Sequence, residues 1–385
     1  PCHNAALPKR QSPFAHARKF TPMSSADPRD TIASIDTQIL DLLRERCRAM
    51  MENTASNPNP DWASTLASID RVVDRSVQSG SGNEDSNAAV PDSEVQRNIL
   101  RHVASACWRA TRPGTYAFLG PPDSYSHLAA LAYFGDAANL LPVSSIGAVF
   151  DAVGRGDCAG GIVPIENSTD GRVVDTFGRL SKGEVSITGE VQLAIHHQLL
   201  AMCDRDSITE VHSKPQAISQ CRVWLANNLP HAKLIECSST AAAAKLAATQ
   251  TGVAAIASEA AGRRHGLRVI GANIEDNRDN VTRFAVLGHE QPAPTGQDKT
   301  TLLFQVAHQP GALADVMGIF KQHELNLTWI ESFPQPGTKN EYFFVVEFPG
   351  HCQDVAIAKA IEDLQTATHH THVLGSYGRA ARVES

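Results

Sequence analysis

Four short runs of hydrogen-bonding residues carry most of the chemistry this sequence can offer. Glu166-Asn167-Ser168-Thr169 closes an apolar run, Gly161–Ile165. Lys214-Pro215-Gln216 follows, then Ser239-Thr240 just before the alanine-rich stretch 241–249, and Thr282-Arg283-Phe284 opens another apolar run. Asn167, Ser168 and Thr169 are neutral donors of the kind a small-anion site prefers. Arg283 can hold a carboxylate through two parallel hydrogen bonds. A helix starting at Ser239-Thr240 presents its N-terminus to an anion. Lys214 can draw an anion in, and Gln216 adds a donor. Glu166 is out of place beside an anion unless burial keeps it protonated, when it too can donate. A threonine hydroxyl is a poor acid in water, so Thr282 reads as a positioned donor. Each residue also has a structural reading. Thr282 can be a strand threonine facing solvent, Arg283 a salt-bridge partner and Glu166 a cap on backbone amides. Gln216 can be a polar residue near a helix start, and Ser239-Thr240 a plain helix cap.

Most of these clusters fall just after predicted strands, where α/β sheets place their ligands. From Thr115 onward, short apolar strands alternate with helices: Tyr116–Leu119, Gly161–Pro164, Val191–Leu200, Val253–Ala257 and Arg283–Leu287. A Pro/Gly-rich linker at 291–298 then leads to a strand (300–307), a helix (311–324), two strands (325–332 and 341–348), a helix (354–367) and a last strand (371–377). That βαββαβ order is the ferredoxin-like arrangement. Ahead of the α/β region lie three helices. Asp27-Pro28 reads as an N-cap followed by proline at the first helical position. Ile32, Ile35, Ile39, Leu42, Leu43 and Met50 then keep helical spacing over 28–53. A weaker pattern (Trp62, Leu66, Ile69, Val72, Val73, Val77) comes next, then a loop at 79–92 low in apolar residues and a third helix over 93–111. Residues 1–22 contain no apolar stretch long enough for a secretory signal and read as a disordered or over-extended leader.

At 385 residues the chain is too long for one ordinary core. The composition, 42% hydrophobic and 19% charged, is that of a globular protein. A net charge of −7 without a basic stripe argues against nucleic acid as a partner. No apolar run approaches the ~20 residues of a membrane helix. The eight cysteines are scattered, with no C-x-x-C pair and none beside histidines at zinc-finger spacing. Reduced thiols in the cytoplasm are the expectation, with no metal and no cofactor.

Five stretches, in order and at family spacing, resemble prephenate dehydratases from about residue 115 to 288. They are Phe118-Leu-Gly-Pro-Pro-Asp-Ser-Tyr-Ser-His127, Pro164-Ile-Glu-Asn-Ser-Thr-Asp-Gly171, His212-Ser-Lys-Pro-Gln-Ala217, Ser238-Ser-Thr-Ala241 and Asn280-Val-Thr-Arg-Phe284. The resemblance implies a two-lobed α/β domain over 113–290, like periplasmic solute-binding proteins, with substrate in the cleft. It implies that prephenate loses its ring hydroxyl and carboxylate to give phenylpyruvate, in phenylalanine biosynthesis. Aromatisation drives the reaction, so the enzyme has to position the dianion and help the hydroxyl leave. The resemblance puts Thr282 at the departing hydroxyl, with Glu166, Asn167 and Gln216 as further catalytic groups. Ser126, Ser168, Thr169, Ser239, Thr240, Arg283 and Phe284 are its substrate-binding positions. Lys214 stands where many relatives have histidine.

His308-Gln-Pro-Gly-Ala-Leu313 and Ile330-Glu-Ser-Phe-Pro334 resemble the two motifs of ACT domains, which implies a phenylalanine-sensing module over 299–380. Gly311, Ala312, Leu313, Asn326, Leu327, Glu331 and Ser332 are then the effector contacts, between two subunits of a homodimer or homotetramer. Phe333 replaces the arginine usual in the second motif. Residues 23–112 resemble all-helical chorismate mutases, with Arg29 and Arg46 on two arginines of that site. The other positions are degraded: Asn57, Ser68, Ile69 and Thr111 stand where charged or amide partners belong. The expectation is therefore a vestigial or oligomerising module, leaving a dehydratase inhibited by phenylalanine. The alternatives are a bifunctional chorismate mutase/prephenate dehydratase, an arogenate dehydratase, or, in a different class, a non-catalytic small-molecule sensor.

Overall fold

Asp27 opens the first helix as a cap, its carboxylate accepting from the backbone N–H of Arg29 at 2.9 Å. The computed structural model describes residues 27–56, 62–80, 91–111, 113–169, 171–334, 342–380 and 382–383, and every count below refers to these. Asn57, the leader at 1–22 and most of the loop at 79–92 lie outside them. The three expected helices are present as α1 (Pro28–Ser56), α2 (Trp62–Gly80) and α3 (Ser93–Thr111). The chain forms two compact units that divide after Arg46, within α1. In the first, Ile32, Ile35, Ile39 and Leu42 follow at intervals of three and four, and all are exposed. In the second, Ile69 and Val73 of α2 close on Ala104 and Trp108 of α3. Ile69 is thus a core residue. The Thr111 hydroxyl is bound to the Cys107 and Trp108 carbonyls of its own helix.

The strands build two lobes. The first sheet takes β1 (Thr115–Leu119), β2 (Asn139–Val143), β3 (Gly160–Asn167), the two-residue β4 (Gly171–Arg172) and β5 (Ser186–Ala194). Packed on it are α4 (Tyr125–Phe134), α5 (Ile146–Gly154) and α6 (Val174–Leu180). The chain then crosses to a second sheet of β6 (Gln198–Ala201), β7 (Glu210–Ser213), β8 (Lys233–Glu236), β9 (Val253–Ala257) and β10 (Arg268–Gly271), in the order β10-β6-β9-β7-β8. Its helices are α7 (Pro215–Gln220), α8 (Arg222–Asn228), α9 (Thr240–Ala247) and α10 (Glu259–His265). Finally β11 (Val281–Gly288) returns to lie between β3 and β5. The expected strand over 191–200 is therefore two strands in different sheets. The crossing is Ile195-His196-His197, whose polar histidine pair ends the apolar run of β5 before Leu199 and Leu200 resume it in β6.

Beyond the linker, β12 (Asp298–Gln305), α11 (Ala312–Gln322), β13 (Trp329–Pro334), β14 (Tyr342–Pro349), α12 (Val355–Ala367) and β15 (His370–Gly378) follow in the expected βαββαβ order. Their antiparallel sheet runs β13-β14-β12-β15. This unit does not stand apart. Phe177, Ile187 and Leu287 of the first lobe share one core with Leu303, Phe333, Phe343 and Tyr377. The chain end returns as β16 (Arg382–Val383) to pair with β5.

Gly375 marks a close backbone approach between the C-terminal sheet and the first lobe: a Cβ there would overlap the backbone carbonyl of Ile187. Gly375→Ala should therefore cost about 1–3 kcal/mol of stability, the scale of overpacking. Gly178→Ala, in α6 with nothing within 4 Å, is the control and should be neutral or mildly stabilising. Equal urea midpoints for the two variants would contradict the tight joint.

Candidate active site

The two segments that cross between lobes are laced together. Ile195 N–H donates to Asn280 O and Ile274 N–H to His197 O, each at 2.8 Å. The buried Glu275 carboxylate accepts from His197 N–H and meets His196 Nδ1, again at 2.8 Å. Beside this seam the lobes enclose a cavity of about 460 Å³. Ser126, Asn167, Arg172, Thr282 and Phe284 line it from the first lobe, Lys214, Gln216, Ser239 and Thr240 from the second, and His197 and Gln220 from the seam.

Each strand end delivers its side chain by simple alternation. Thr282 pairs with Asn167 across β11 and β3, and the Asn167 amide donates to Thr282 Oγ1 at 2.8 Å and to Asn280 Oδ1 at 3.0 Å. The network runs on into the seam. Asn280 Nδ2 donates to Gln220 Oε1 at 3.0 Å, and His197 Nε2 lies 2.8 Å from the same oxygen. His197 Nδ1 in turn is 2.8 Å from the Tyr125 hydroxyl, which also reaches the His196 carbonyl. Burial, reinforced by Cys221 and Glu275, pushes the Tyr125 phenol well above its usual pKa, so it acts as a neutral donor. In the second lobe Ser239 caps α9 through Ala242 N–H at 3.0 Å, and Gln216 sits in the first turn of α7.

Several expected site residues point elsewhere. Ser168 and Thr169 do not line the cavity: Ser168 Oγ accepts from Val281 N–H at 2.9 Å, and Thr169 folds back through its N–H onto Asn167 Oδ1 at 2.9 Å. They shape the loop that presents Asn167. Glu166 and Arg283 are also absent from the cavity, and for one reason: with Asn167, Thr282 and Phe284 facing in, their strand neighbours must face out. There Arg283 donates to Glu166 at 2.8 Å, to Glu190 at 3.1 and 3.2 Å, and to Glu347 at 2.7 and 2.8 Å. Lys299 completes the cluster against Glu190 and Glu347. The expected carboxylate clamp is thus an internal ion cluster, and Glu166 an arginine-bound carboxylate in place of a proton donor. Burial alone would raise the Glu190 pKa, but Lys299 and Arg283 outweigh it and hold that carboxyl below the usual range.

Tyr125, His197, Gln220, Asn280 and Arg172 reach the site or its network without having been singled out from the sequence. The quoted motifs contain Tyr125 and Asn280, and the alternation of β3 and β11 was available as a guide. Arg172, Gln220 and His197 carried no local signal. In the C-terminal unit, Gly311 caps α11 in the left-handed conformation (φ 88°), with Ala312 buried and Leu313 half-buried behind it. Asn326 and Leu327 lie in the loop before β13. Ser332 is on β13, and Glu331 beside it pairs with Arg172. Phe333 is buried between Phe177 and Phe343, a place where a guanidinium would be stranded.

No group of three or more His, Cys, Asp or Glu among the described residues could hold a metal ion, and no described helix is long and apolar enough to cross a membrane. The family described as prephenate dehydratase matches residues 116–292. A bifunctional chorismate mutase/prephenate dehydratase of Aquifex aeolicus is 35% identical over 353 residues, covering 91% of this chain and 97% of the relative. A protein of the same description from Stutzerimonas stutzeri is 34% identical, over 93% of this chain and 100% of its own length. Among solved structures, the prephenate dehydratase of Arthrobacter aurescens in complex with L-Phe is 33% identical, with a TM-score of 0.64 over 69% of this chain and 90% of that one.

The ion cluster makes its own prediction. A carboxyl with a lowered folded pKa gives stability that is present above its unfolded pKa and is lost as pH falls through the folded value. Glu190→Gln should lose about 3 kcal/mol at pH 7, the scale of a broken buried pair. The gap to the parent should narrow below about pH 4.3, the ordinary glutamate pKa. Urea midpoints measured from pH 7 to 3 that stay parallel for the two proteins would rule this out.

Proposed function

The chain belongs to the prephenate dehydratase family and carries its catalytic lyase domain; from that premise we propose that it converts prephenate to phenylpyruvate in the cleft between the α/β lobes. The observation that carries this reading is the hydrogen-bonded pair Asn167–Thr282 on the cavity wall. An amide that fills an acceptor site on Thr282 Oγ1 polarises the hydroxyl and strengthens it as a donor. Thr282 O–H donates to the departing ring hydroxyl, Asn167 holds Thr282 in register, and Gln216 and Ser239 approach from the other lobe. The ring carboxylate leaves as carbon dioxide while the ring electrons settle into the aromatic product, without a cofactor. Neutral donors suit this chemistry, because too firm a grip on the ring carboxylate would oppose its loss.

The relatives favour a bifunctional protein over the dehydratase-only reading. Those from Aquifex and Stutzerimonas align over more than nine-tenths of this chain and carry the mutase in their descriptions. We therefore assign chorismate as a second, slower substrate. Ile69 is core and Thr111 is tied to its own helix, which leaves Arg29 and Arg46 to supply the charge. The two are 17 residues, or ~26 Å, apart along one helix, so they can act only in a dimer that brings together copies from two subunits. The exposed stripe Ile32, Ile35, Ile39 and Leu42 supplies the apolar face for that dimer. The C-terminal unit reads as an ACT domain of ferredoxin-like type that binds L-phenylalanine, the ligand with which the Arthrobacter relative is described in complex. Its contacts are Gly311–Leu313 of one subunit and Asn326, Leu327 and Ser332 of another; Glu331 is engaged with Arg172. The cytoplasm is the compartment this reading assigns.

Separate assays of the purified protein with prephenate, arogenate and chorismate test these assignments. Prephenate should be the best substrate, arogenate poorer, and chorismate turned over at least about tenfold more slowly. No turnover of prephenate or arogenate would leave a small-molecule sensor. Thr282→Ala and Asn167→Ala should lower kcat by at least ~10²-fold, the scale of a lost preorganised donor, and Thr282→Ser should keep much more activity than Thr282→Ala. Near-parental turnover in Thr282→Ala would remove that hydroxyl from the mechanism.

A further inference from the structure

Two negative charges entering a partly enclosed cavity need countercharge, and neutral amides and hydroxyls do not supply it. Arg283 cannot, since its guanidinium is held by three carboxylates on the far face of β11. Among the described residues lining the cavity, the cations are Lys214 from the second lobe and Arg172 from the first. Lys214 sits at the exposed start of α7.

Arg172 is placed by the turn after Asn167. Gly171 takes φ 82°, a left-handed conformation that turns the chain back, and β4 then pairs with β3 so that Gly171 faces Asn167 and Arg172 faces Glu166. Arg172 is among the residues that line the cavity, at its edge on the Glu166 side, and its guanidinium reaches the C-terminal sheet, where it pairs with Glu331 on β13. Both partners are about a third exposed, at 32% and 31%. A pair this wet is held weakly, and its carboxylate can return to water with little penalty.

We propose that Arg172 is a substrate-binding residue whose guanidinium takes a carboxylate of the incoming dianion in exchange for Glu331. The planar fork of arginine suits a carboxylate, and β4 brings Arg172 to the same cavity as Asn167 and Thr282, where the leaving hydroxyl is held. Glu331 is then a built-in competitor supplied by the C-terminal unit. The proposal rests on the dehydratase reading and assigns the specificity of that same site for a dicarboxylate. It also defines a direct contact through which a ligand on the C-terminal unit can act. Whatever tightens Glu331 on Arg172 raises the KM for prephenate.

The test is steady-state kinetics of the full chain with prephenate, with folding of each variant confirmed by circular dichroism and thermal melting. Arg172→Ala should raise KM at least about tenfold, and by more than it lowers kcat, because the lost contact is made in the ground state as well as the transition state. Arg172→Lys should fall between the two. Glu331→Gln should lower KM severalfold in the parent and have no effect in the Arg172→Ala background. A calorimetric titration of prephenate into Thr282→Ala, with and without Arg172→Ala, reads the same contact without turnover. A KM or Kd within twofold of its reference after loss of Arg172, or a rise in KM in Glu331→Gln, overturns the proposal. A parent protein that does not turn over prephenate overturns the functional reading itself, a different result.

Discussion

Arg283 and the carboxylates around it hold the first lobe and the C-terminal sheet in one register. Arg283 is on β11, Glu166 on β3 and Glu190 on β5, while Glu347 and Lys299 come from β14 and β12 across the joint. Glu190 and Glu347 are almost wholly buried, and Glu166 keeps about a third of its side chain in water. Three carboxylates face two cations, so the surplus negative charge sits on the member best able to reach solvent. Desolvating so many charges is unfavourable unless each is met by several hydrogen bonds, and the guanidinium fork supplies five within 3.2 Å. An arrangement of this kind tolerates little displacement of one sheet against the other.

That constraint decides which faces of two strands can do chemistry. With Arg283 and Glu166 committed to the cluster, Thr282 and Asn167 have to face the cleft, one residue away on the same strands. The cluster and the Asn167–Thr282 pair are thus on opposite faces of one strip of sheet, and a shift of either strand would disturb both. The Phe177–Phe333 contact and the close approach at Gly375 tighten the same joint with apolar contacts. Arg172 adds a second ionic tie across it, nearer to solvent and weaker.

Much of this was legible in the sequence, and the failures have physical causes. The elements that matter most were long, strongly patterned runs: α1, β9 and the βαββαβ order all stand close to where periodicity put them. Asn167 and Thr282 both reach the cavity, as their position at strand ends suggested. Of the two readings open for Glu166 and Arg283, the period of two favours the structural one, since each neighbours a residue that faces the cavity and so stands on the other face of its strand. The split of 191–200 into β5 and β6 had a local sign in the polar pair His196-His197, but a two-residue interruption does not say that the chain changes sheet there. The shared core was hidden for another reason. A Pro/Gly-rich linker marks a change of sheet, yet says nothing about whether the sheets then pack together. Arg172 was invisible because its role depends on Glu331, 159 positions later in the chain.

The account stands on Arg283 being a clasp between two sheets. A double-mutant cycle in urea unfolding, combining Arg283→Met with Glu347→Gln, isolates the link across the joint. A coupling above about 1 kcal/mol is predicted, since the two side chains share two short hydrogen bonds in a nearly dry site. Effects that add to within about 0.3–0.5 kcal/mol would contradict it, and would show that the sheets are held by their apolar contacts alone.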